Sequence, residues 1–423
     1  MHIARVTAGC SCDSLADATE MMSVTDALVR ALAQVAPITE TESVPLATAL
    51  GRTTAGAVRA TEAMPFFDNS AMDGFALRCA DLDGRCCLPV AGTIAAGDAP
   101  CDLPAGAAMR IFTGAPLPLG ADAVVMVEAC VDKTTKVHIE RAPAVGDNIR
   151  RAGSDQAVGQ KLLDANTRIA AHHIGLLSAN GIDAVEVIRK PRLAVFSTGD
   201  ELQSGPRAPG QIPDSNRPML LALAREAGAD VTDLGILPDD AAATAEALHG
   251  IGDRYDLILS SGAVSMGGKD HIREALIAAG GTVHGWRVAL KPGKPVMFGT
   301  LGAAAFTGLP GNPFAVHVGF HLFVLPQLAR LLGARIAPFA PVPAIAGFAW
   351  SRKPGRAEVF PVRLAAYDEA GLPVLERLGQ SVSATLLPLA GADGLAIVPA
   401  DCREISPGTP LFWRPFCPAG DVT

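Results

Sequence analysis

Four polar segments rich in glycine each follow an apolar stretch of the chain, at residues 198–201, 237–240, 260–270 and 308–313. The apolar stretches alternate with helix-like stretches, a pattern that predicts a sheet of parallel strands. In such a sheet the loops that follow the strands meet at one edge, and ligands bind there. We therefore expect the four segments to line one binding rim.

The third segment offers groups that could hold a phosphate. Its hydroxyls and backbone N–H groups lie near a predicted helix start, which favours phosphate oxygens; the candidates are Ser260, Ser261, Gly262, Ser265 and Gly267. The segment differs from the ATP-binding P-loop, because five residues separate Gly262 from Gly268 and Asp270 stands where Ser or Thr would bind magnesium. A tight glycine turn without a ligand is the alternative interpretation.

Three carboxylates follow separate strands of this predicted sheet. Glu201, Asp239 and Asp270 supply hard oxygen ligands, and a Mg²⁺ ion beside a phosphate would offset their mutual repulsion. The sequence therefore predicts a magnesium site with these three residues as ligands. Asp239 and Asp270 could instead be simple N-caps of the helices that follow.

Lys291 and Lys294 flank a stiff turn in the segment Lys-Pro-Gly-Lys-Pro. Proline fixes φ and glycine permits a close approach of the backbone, so this corner suits an oxyanion. Exposed lysines of an ordinary surface loop are the alternative.

Composition excludes several classes of protein. A chain of 423 residues is too long for one core, since domains typically have ~100 to 200 residues. With 49% hydrophobic residues and a net charge of -8, we expect a soluble protein that does not bind nucleic acid.

No apolar run approaches the ~18 to 20 residues of a membrane span, and no signal region precedes Cys10, so we expect a cytoplasmic location without membrane contact. The cysteines lack Cys-x-x-Cys spacing, which favours free thiols.

Apolar periodicity predicts a multidomain α/β plus β fold. The helix that begins after Ser23 and a helical return over residues 156–189 indicate a helical linker domain. The predicted parts are a flexible leader with Cys10 and Cys12 (1–20), the linker domain (21–59 and 152–190), an inserted β-rich domain (60–151), a central doubly wound α/β domain (191–336) and a small C-terminal β-barrel-like domain (337–423).

The segment FDNSAMDGFA at residues 67–76 closely resembles the hallmark of the MoeA family, the molybdopterin molybdenumtransferases that include the E-domain of gephyrin. Further matching segments follow in the family's order, at residues 111–116, 146–151, 196–202, 214–217, 260–262, 291–295 and 308–313. The resemblance extends from about Met22 to the end of the chain.

This resemblance implies a transferase that inserts molybdenum from molybdate into adenylated molybdopterin and releases AMP, with Mg²⁺ as helper. It implies that the α/β domain binds molybdopterin, that the protein is a homodimer, and that each active site combines two subunits. The molybdopterin adenylyltransferase is a candidate partner. Tungstate as a substitute for molybdate stays open.

The family's motifs also assign roles to individual positions. The β-rich side would contribute Asp73, Thr113, Arg150 and Asp155 to the site, and the α/β side would contribute Glu201, Asp239 and Asp270. Molybdate would contact cationic and hydroxyl donors at Lys291, Lys294, Arg356 and Ser383. For Asp73, a simple Asp-Gly turn is the alternative.

Three positions depart from the family's usual pattern. Ala315 stands where a serine is common, Ala263 where a second glycine follows Ser-Ser-Gly, and Arg287 where a related sequence has lysine. The missing hydroxyl at position 315 puts one molybdate contact in doubt.

Two other functions remain open at this point. One is a scaffold without catalysis, since the related E-domain anchors receptors, although the full set of charged positions argues against it. The other is a sister enzyme that adenylates the pterin and shares only the α/β domain. The segments at residues 68–74 and 147–151 argue against that alternative, because a lone α/β domain would lack them.

Overall fold

A computed structural model describes residues 21–416, apart from 83–85, 204, 207, 263–270, 380–383 and 385. The predicted leader with Cys10 and Cys12 lies outside the described residues. The chain divides into two compact units. Among the described residues, the first comprises 21–42, Gly51–Thr53 and 187–416, and the second comprises Ser43–Leu50 and Thr54–Glu186.

The helix predicted after Ser23 is confirmed as α1 (Val24–Ala33). The Ser23 hydroxyl accepts a hydrogen bond from the Asp26 amide at 3.0 Å, so a side chain satisfies one of the free N–H groups of the first turn. Ala27 and Ala31 are fully buried in the core of the first unit. Their small side chains let the helix pack closely against that core.

The second unit consists mainly of short strands. Its elements are β1 (Thr41–Pro45), β2 (Val58–Arg59), β3 (Asn69–Ser70), β4 (Gly74–Leu77), β5 (Cys87–Ile94), β6 (Ala108–Ile111), β7 (Ala123–Met126), β8 (Cys130–Asp132), β9 (Lys136–Ile139), β10 (Ile149–Arg150), β11 (Lys161–Leu163), α2 (Ala171–Ala179) and β12 (Ala184–Ile188). Six of them form a sheet in the order β7-β4-β6-β5-β9-β8. Phe75 and Ala76 point to opposite faces of this sheet, and each face has its own apolar cluster.

The predicted helical return is much shorter than expected. Between residues 156 and 189 only α2 is helical, while β11 and β12 are extended. The His173 imidazole accepts a hydrogen bond from the Ala170 amide at the start of α2 at 3.0 Å, so it has a local role at the helix terminus. Tertiary strand pairing of residues 161–163 with β2 overrides the helical periodicity here.

The first unit contains the predicted α/β domain. Its elements are β13 (Arg192–Thr198), β14 (Leu202–Gln203), β15 (Ile212–Pro213), α3 (Asn216–Glu226), β16 (Asp230–Leu237), α4 (Ala241–Leu248), β17 (Leu257–Ser261), α5 (His271–Ala278), β18 (Thr282–Trp286), β19 (Leu290–Lys291), β20 (Met297–Leu301), β21 (Ala304–Leu309), α6 (Pro313–Gly319) and α7 (Leu325–Leu331).

The central sheet has the order β16-β13-β17-β21-β20-β18. The pairs among β16, β13, β17 and β21 are parallel, whereas β20 and β18 are antiparallel additions at one edge. Leu193 and Val195 pack on one face with α3 and α6, and Ala194 and Phe196 pack on the other with α4 and α5. Helices on both faces confirm a doubly wound domain.

A continuous helical segment, Pro313–Leu331, runs through α6, a π-helical stretch (Phe320–Val324) and α7. It is the single candidate for a membrane span among the described residues by length and composition, and 78% of its most apolar window is buried inside the protein. Burial against the central sheet accounts for its apolar character.

The predicted C-terminal barrel is also confirmed. Its elements are β22 (Val342–Ala346), β23 (Trp350–Ser351), β24 (Ala357–Tyr367), β25 (Pro373–Arg377), α8 (Leu387–Ala390), β26 (Gly394–Val398), β27 (Glu404–Ile405) and β28 (Pro410–Pro415). Strands follow the order β24-β25-β22-β28-β26, and pairing of β26 with β24 closes the ring. β19 joins this sheet through β24, so residues Leu290–Lys291 belong structurally to the barrel.

Two buried imidazoles lie one turn apart on the helical segment. The ring centroids of His317 and His321 are 4.6 Å apart, and both rings contact Phe416. Burial lowers the pKa of His317 to about 4. Burial, followed by the charges of His317 and Arg414, lowers the pKa of His321 to about 2.

These two histidines should make the fold sensitive to acid. In the unfolded chain each binds a proton near pH 6.5, while the folded chain resists protonation, so the free energy of unfolding is retained above that pH and lost below it. We expect losses of about 1.4 kcal/mol per pH unit for each histidine as pH falls from ~6.5 towards the folded pKa. Urea unfolding of wild type and His321→Phe at pH 7.5, 6 and 5 measures the slopes. The variant should lose part of the slope, whereas His249→Gln, at an exposed residue, should keep it; equal slopes in all three would contradict the assignment.

Candidate functional site

The described parts of the four segments predicted to line the rim contact one another in the first unit. The Gly262 amide donates to the Leu309 carbonyl at 3.2 Å, which joins the ends of β17 and β21. The Asn216 amide group, at the start of α3, donates to the Ser261 hydroxyl at 2.9 Å and to the Gly311 carbonyl at 2.6 Å. The carboxyl ends of the strands and the start of α3 therefore form one connected edge.

The serine hydroxyls of this edge face the protein interior. Ser260 is completely buried, and its Oγ has no hydrogen-bond partner. The Ser261 hydroxyl accepts from Asn216 and donates to the Pro310 carbonyl at 3.4 Å. A phosphate contact by either hydroxyl would therefore require a local change. Ser265 and Gly267 lie outside the described residues.

Gly262 makes the closest backbone approach at the rim. Its φ is +98°, and a Cβ atom added to it would lie 2.2 Å from the Thr198 carbonyl oxygen. No other residue type combines this φ with this approach without displacing the end of β13. The glycine thus has a packing role whether or not a phosphate binds beside it.

Asp239 points towards the same edge from the end of β16. The Thr198 hydroxyl donates to its carboxylate at 3.3 Å, and His271 Nε2 lies 3.6 Å away. The helix-cap alternative for Asp239 is wrong, because Asp240 caps α4 by accepting from the Ala243 amide at 2.8 Å. Asp239 therefore does not cap that helix.

The three predicted magnesium ligands are incompletely described. Glu201 is exposed in the turn after β13, Asp239 follows the neighbouring strand β16, and Asp270 lies outside the described residues. Within the described ranges no group of three or more His, Cys, Asp or Glu side chains is positioned to hold a metal ion. Two carboxylates at adjacent strand ends fit the oxygen ligands that Mg²⁺ prefers, but they make only part of a coordination shell.

A second polar cluster lies in the second unit, around the hallmark segment. Asp73, just before β4, accepts hydrogen bonds from the Thr113 amide at 2.7 Å and from the Thr113 hydroxyl at 2.9 Å. These two bonds, the amide first, lower the pKa of Asp73. Both residues are exposed. The pair presents an ionised carboxylate to solvent at a fixed position.

Arg150 and Asp155 line one cavity in the same unit. The cavity has a volume of about 540 Å³ and is also lined by Phe66, Phe67 and Asn69. Arg150 lies on β10, which pairs with β3 of the hallmark segment, and the Asp155 amide donates to the Met64 carbonyl at 3.0 Å. A cation, a carboxylate and two aromatic rings thus surround a space large enough for a small polar ligand.

The hallmark segment positions these residues through its own polar groups. Asp68 accepts from Arg151 at 2.6 Å and from the Ala152 amide at 2.8 Å, and the amide bond is the main cause of its lowered pKa. The Ser70 backbone exchanges hydrogen bonds with Gly114 and Ala115, which fixes the turn that carries Thr113. Asp68 and Ser70 therefore hold the segments that present the candidate ligand contacts.

The predicted oxyanion residues gather where the α/β domain meets the barrel strand β24. Lys291 is paired in register with Glu358, and Arg356 lies two residues earlier in the chain. The Lys294 carbonyl accepts from the Val288 amide at 2.8 Å, which closes the Pro292-Gly293 turn. Ser383 lies outside the described residues. The three described cations thus come from two neighbouring segments.

Ala315 lies directly behind this turn. A Cβ atom on Gly293 would be 3.8 Å from the Ala315 carbonyl and 4.0 Å from its methyl group, and Ala315 is 2% exposed. A hydroxyl at position 315 would therefore sit beside the turn, and its absence removes a polar group from the oxyanion corner.

The fold and these sites define a multidomain protein with a doubly wound ligand-binding domain, a β-rich unit and a closed C-terminal barrel. Family models match three successive parts: the MoeA N-terminal region (domains I and II) at residues 22–181, the probable molybdopterin binding domain at 194–330, and the MoeA C-terminal region (domain IV) at 343–416. The chain belongs to the MoeA family. The sister-enzyme alternative is wrong, since the matches extend on both sides of the α/β domain.

Known relatives cover most of the chain. A Mycobacterium tuberculosis protein named molybdopterin molybdenumtransferase 2 is 37% identical over 386 residues, which cover 87% of this chain and 93% of that protein. A Nostoc molybdopterin molybdenumtransferase is 40% identical over 305 residues, or 70% of each chain. The crystal structure of a molybdopterin biosynthesis MoeA protein from Pyrococcus horikoshii covers 94% of this chain and 100% of that chain, with a TM-score of 0.80 and 27% identity.

Sequence reasoning gave no individual role to Asn216 or His271. Asn216 stood in a matching segment, and its position at the start of a helix after a strand was a usable signal, but only the structure shows that it bridges Ser261 and Gly311. His271 became a neighbour of Asp239 because α5 begins with it. No spacing in the sequence indicated that contact.

Gly262→Ala should destabilise the first unit more than Gly280→Ala. The two glycines have similar φ values of +98° and +88°, but nothing lies within 4 Å of a Cβ atom on Gly280. Gly280→Ala should therefore cost only the left-handed backbone penalty of about 1 to 2 kcal/mol, whereas Gly262→Ala adds a clash with the Thr198 carbonyl. Denaturant unfolding of both variants measures the difference. Equal losses of unfolding free energy would show that the close approach is absent in solution.

Proposed function

We propose that this chain is a molybdopterin molybdenumtransferase, which inserts molybdenum from molybdate into adenylated molybdopterin and releases AMP. The observation that carries the proposal is the 37% identity to the M. tuberculosis relative of that name over 87% of this chain. The positions that the family's motifs predict to act here carry the charged and hydroxyl groups that an anionic substrate requires. A cytoplasmic location stays a prediction of the sequence.

In the proposed mechanism the protein contributes position and charge. Lys291, Lys294 and Arg356 would hold molybdate near the dithiolene through charge-assisted hydrogen bonds. Glu201 and Asp239, with Asp270, would hold Mg²⁺. When bound, this ion would neutralise charge on the pyrophosphate whose P–O bond breaks as AMP leaves.

The residues of the second unit would bind the remainder of the substrate. Arg150 offers a cation to a phosphate from the rim of the 540 Å³ cavity, and Phe66 and Phe67 offer flat apolar surfaces to a ring. Asp73 would act as a fixed carboxylate, since Thr113 satisfies one of its oxygens and leaves the other open to solvent or ligand.

We also propose that the active protein is a homodimer, in which the second unit of one subunit completes the site of its partner. Large apolar side chains are exposed beside the polar cluster of the second unit: Phe66 (55%), Phe67 (45%), Met72 (44%) and Phe112 (43%). Exposed apolar groups around a polar cluster favour burial against another surface. A second copy of the chain would provide that surface.

The test of the activity is AMP release from adenylated molybdopterin in the presence of molybdate and Mg²⁺. Wild type should release AMP only when both are supplied, and chelation of Mg²⁺ by EDTA should stop it. Release that does not depend on molybdate, or no release at all, would contradict the proposed function.

Asp73→Asn should reduce AMP release by about a hundredfold or more, as is usual when a preorganised charged group is lost. Thr113 can still donate to the amide oxygen, so the melting temperature should change little. Asp122→Asn is a control in the same unit, because the Asp122 carboxylate accepts from the Cys79 amide at 2.7 Å and no motif assigns it to the site. If Asp73→Asn and wild type have equal turnover, Asp73 is an ordinary turn residue.

Mixtures of Asp73→Asn and Asp239→Asn chains should recover activity. In a hybrid dimer one of the two sites would contain both wild-type aspartates, so after subunit exchange we expect up to about a quarter of wild-type turnover, by the statistics of random pairing. Sedimentation at micromolar concentration checks the dimer independently. Inactive mixtures of chains that demonstrably exchange subunits would show that each site uses a single subunit.

A further inference from the structure

A buried carboxylate lies beneath the oxyanion corner, and sequence reasoning gave it no role. Glu358 on β24 is 1% exposed. Its Oε1 lies 3.1 Å from the Lys291 ammonium, and its Oε2 accepts from Arg352 Nε at 3.1 Å. One buried anion therefore contacts two cations, one of which, Lys291, is 43% exposed and reaches the surface.

Arg352 connects this carboxylate to the turn that carries Arg356. The Arg352 side chain is 2% exposed, and its Nη2 donates to the Arg356 carbonyl. Its Nη1 donates to the carbonyls of Pro399, at 2.9 Å, and Cys402, at 2.5 Å. The guanidinium thus ties the Arg356 turn to the segment after β26, and its fixed planar shape makes each of these bonds directional.

The chain topology adds a backbone connection between the same groups. β19 and β24 pair in parallel with Lys291 opposite Glu358, and the Ala357 amide donates to the Ala289 carbonyl at 2.9 Å. The two segments that supply Lys291 and Arg356 are therefore joined by a strand pair and by the buried Glu358–Arg352 pair. A shift of either segment would break the contact of Glu358 with Lys291 or the contact of Arg352 with the Arg356 carbonyl.

We propose that Glu358, together with Arg352, is a positioning residue that holds Lys291 and the Arg356 turn at a fixed separation for a tetrahedral oxyanion. This inference rests on the proposed function, because it takes molybdate as the anion. A buried ion pair gives little net stability, since desolvation offsets its attraction. Its value here lies in fixing the geometry of two flexible cationic side chains before the anion arrives.

A competing role for Glu358 predicts the opposite effect. If the carboxylate served only as a counter-charge, it would weaken the attraction between Lys291 and an anion, and its removal would tighten molybdate binding. If it positions Lys291, its removal weakens binding although the local charge becomes more positive. The direction of the change in affinity therefore separates the two roles.

The experiment compares Glu358→Gln with Glu376→Gln. Glu376 is an exposed carboxylate on the neighbouring strand β25, and its loss changes the net charge by the same amount. For Glu358→Gln we expect the molybdate concentration at half-maximal AMP release to rise about tenfold, the loss typical of one charge-assisted contact. The value for adenylated molybdopterin should stay within about twofold, and Glu376→Gln should match wild type. Titration calorimetry with molybdate alone should show the same weakening.

Unchanged or tighter molybdate binding by folded Glu358→Gln overturns the proposal. So does an equal rise for both substrates, which would indicate general damage to the site. Wild-type AMP release is measured in the same series, so failure of the proposed function itself appears separately as inactive wild type.

Folding of the variants is checked by melting and by tryptophan fluorescence, to which Trp350 contributes with a ring 6.0 Å from the Arg352 guanidinium carbon. If Glu358→Gln has no cooperative transition, Arg352→Lys replaces it. That variant keeps the positive charge beside Glu358 but loses the planar guanidinium that donates hydrogen bonds to three carbonyls. It should also raise the molybdate requirement selectively, and a wild-type molybdate dependence would overturn the proposal.

Discussion

The rim of the central sheet depends on the approach of Gly262 to the Thr198 carbonyl. Parallel strands β13 and β17 end side by side, and a side chain at position 262 would collide with that carbonyl at 2.2 Å. Because the approach is possible, Gly262 can bond to Leu309 and Ser261 can bond to Pro310, so β21 ends at the same level. Thr198, held at this edge, then donates to Asp239. Because position 262 has no side chain, three strand ends and Asp239, a candidate metal ligand, can lie at one surface.

In the second unit, polar side chains hold the candidate site residues in place, whereas close packing does so at the rim of the central sheet. Its hallmark segment contains two aspartates with different duties. The two Asp68 oxygens accept hydrogen bonds from Arg151 and the Ala152 amide, whereas Asp73 accepts from Thr113 through one oxygen and is exposed. Short strands and turns expose many backbone groups, which need such partners. Structural and functional carboxylates therefore occur within a few residues of each other, and sequence alone separates them poorly.

Much of the fold could be predicted because burial leaves a clear pattern in the sequence. β13 and β17 are apolar on both faces, as expected of strands covered by helices on both sides. The segment before α2 misled the prediction, because strand pairing with β2 overrides a weak helical pattern. The cap of α4 fell on Asp240 and left Asp239 at the rim, a shift of one residue that periodicity cannot resolve. The direction of the Ser261 hydroxyl could not be predicted either, since it depends on contacts with Asn216 and Pro310, which are distant in the chain.

The oxyanion corner shows how a departure in sequence changes the balance of forces at a site. Ala315 places a methyl group behind the turn of Gly293, where a serine would offer a neutral donor. An oxyanion in this corner must then be held mainly by Lys291, Lys294 and Arg356. Charged donors attract an anion over a longer range than a hydroxyl, but this attraction is screened by salt, and the ammonium groups of Lys291 and Lys294 select geometry less strictly. Fixing their separation therefore matters more when the hydroxyl is absent, and the β19–β24 strand pair with the buried Glu358–Arg352 pair can do so for Lys291 and the Arg356 turn.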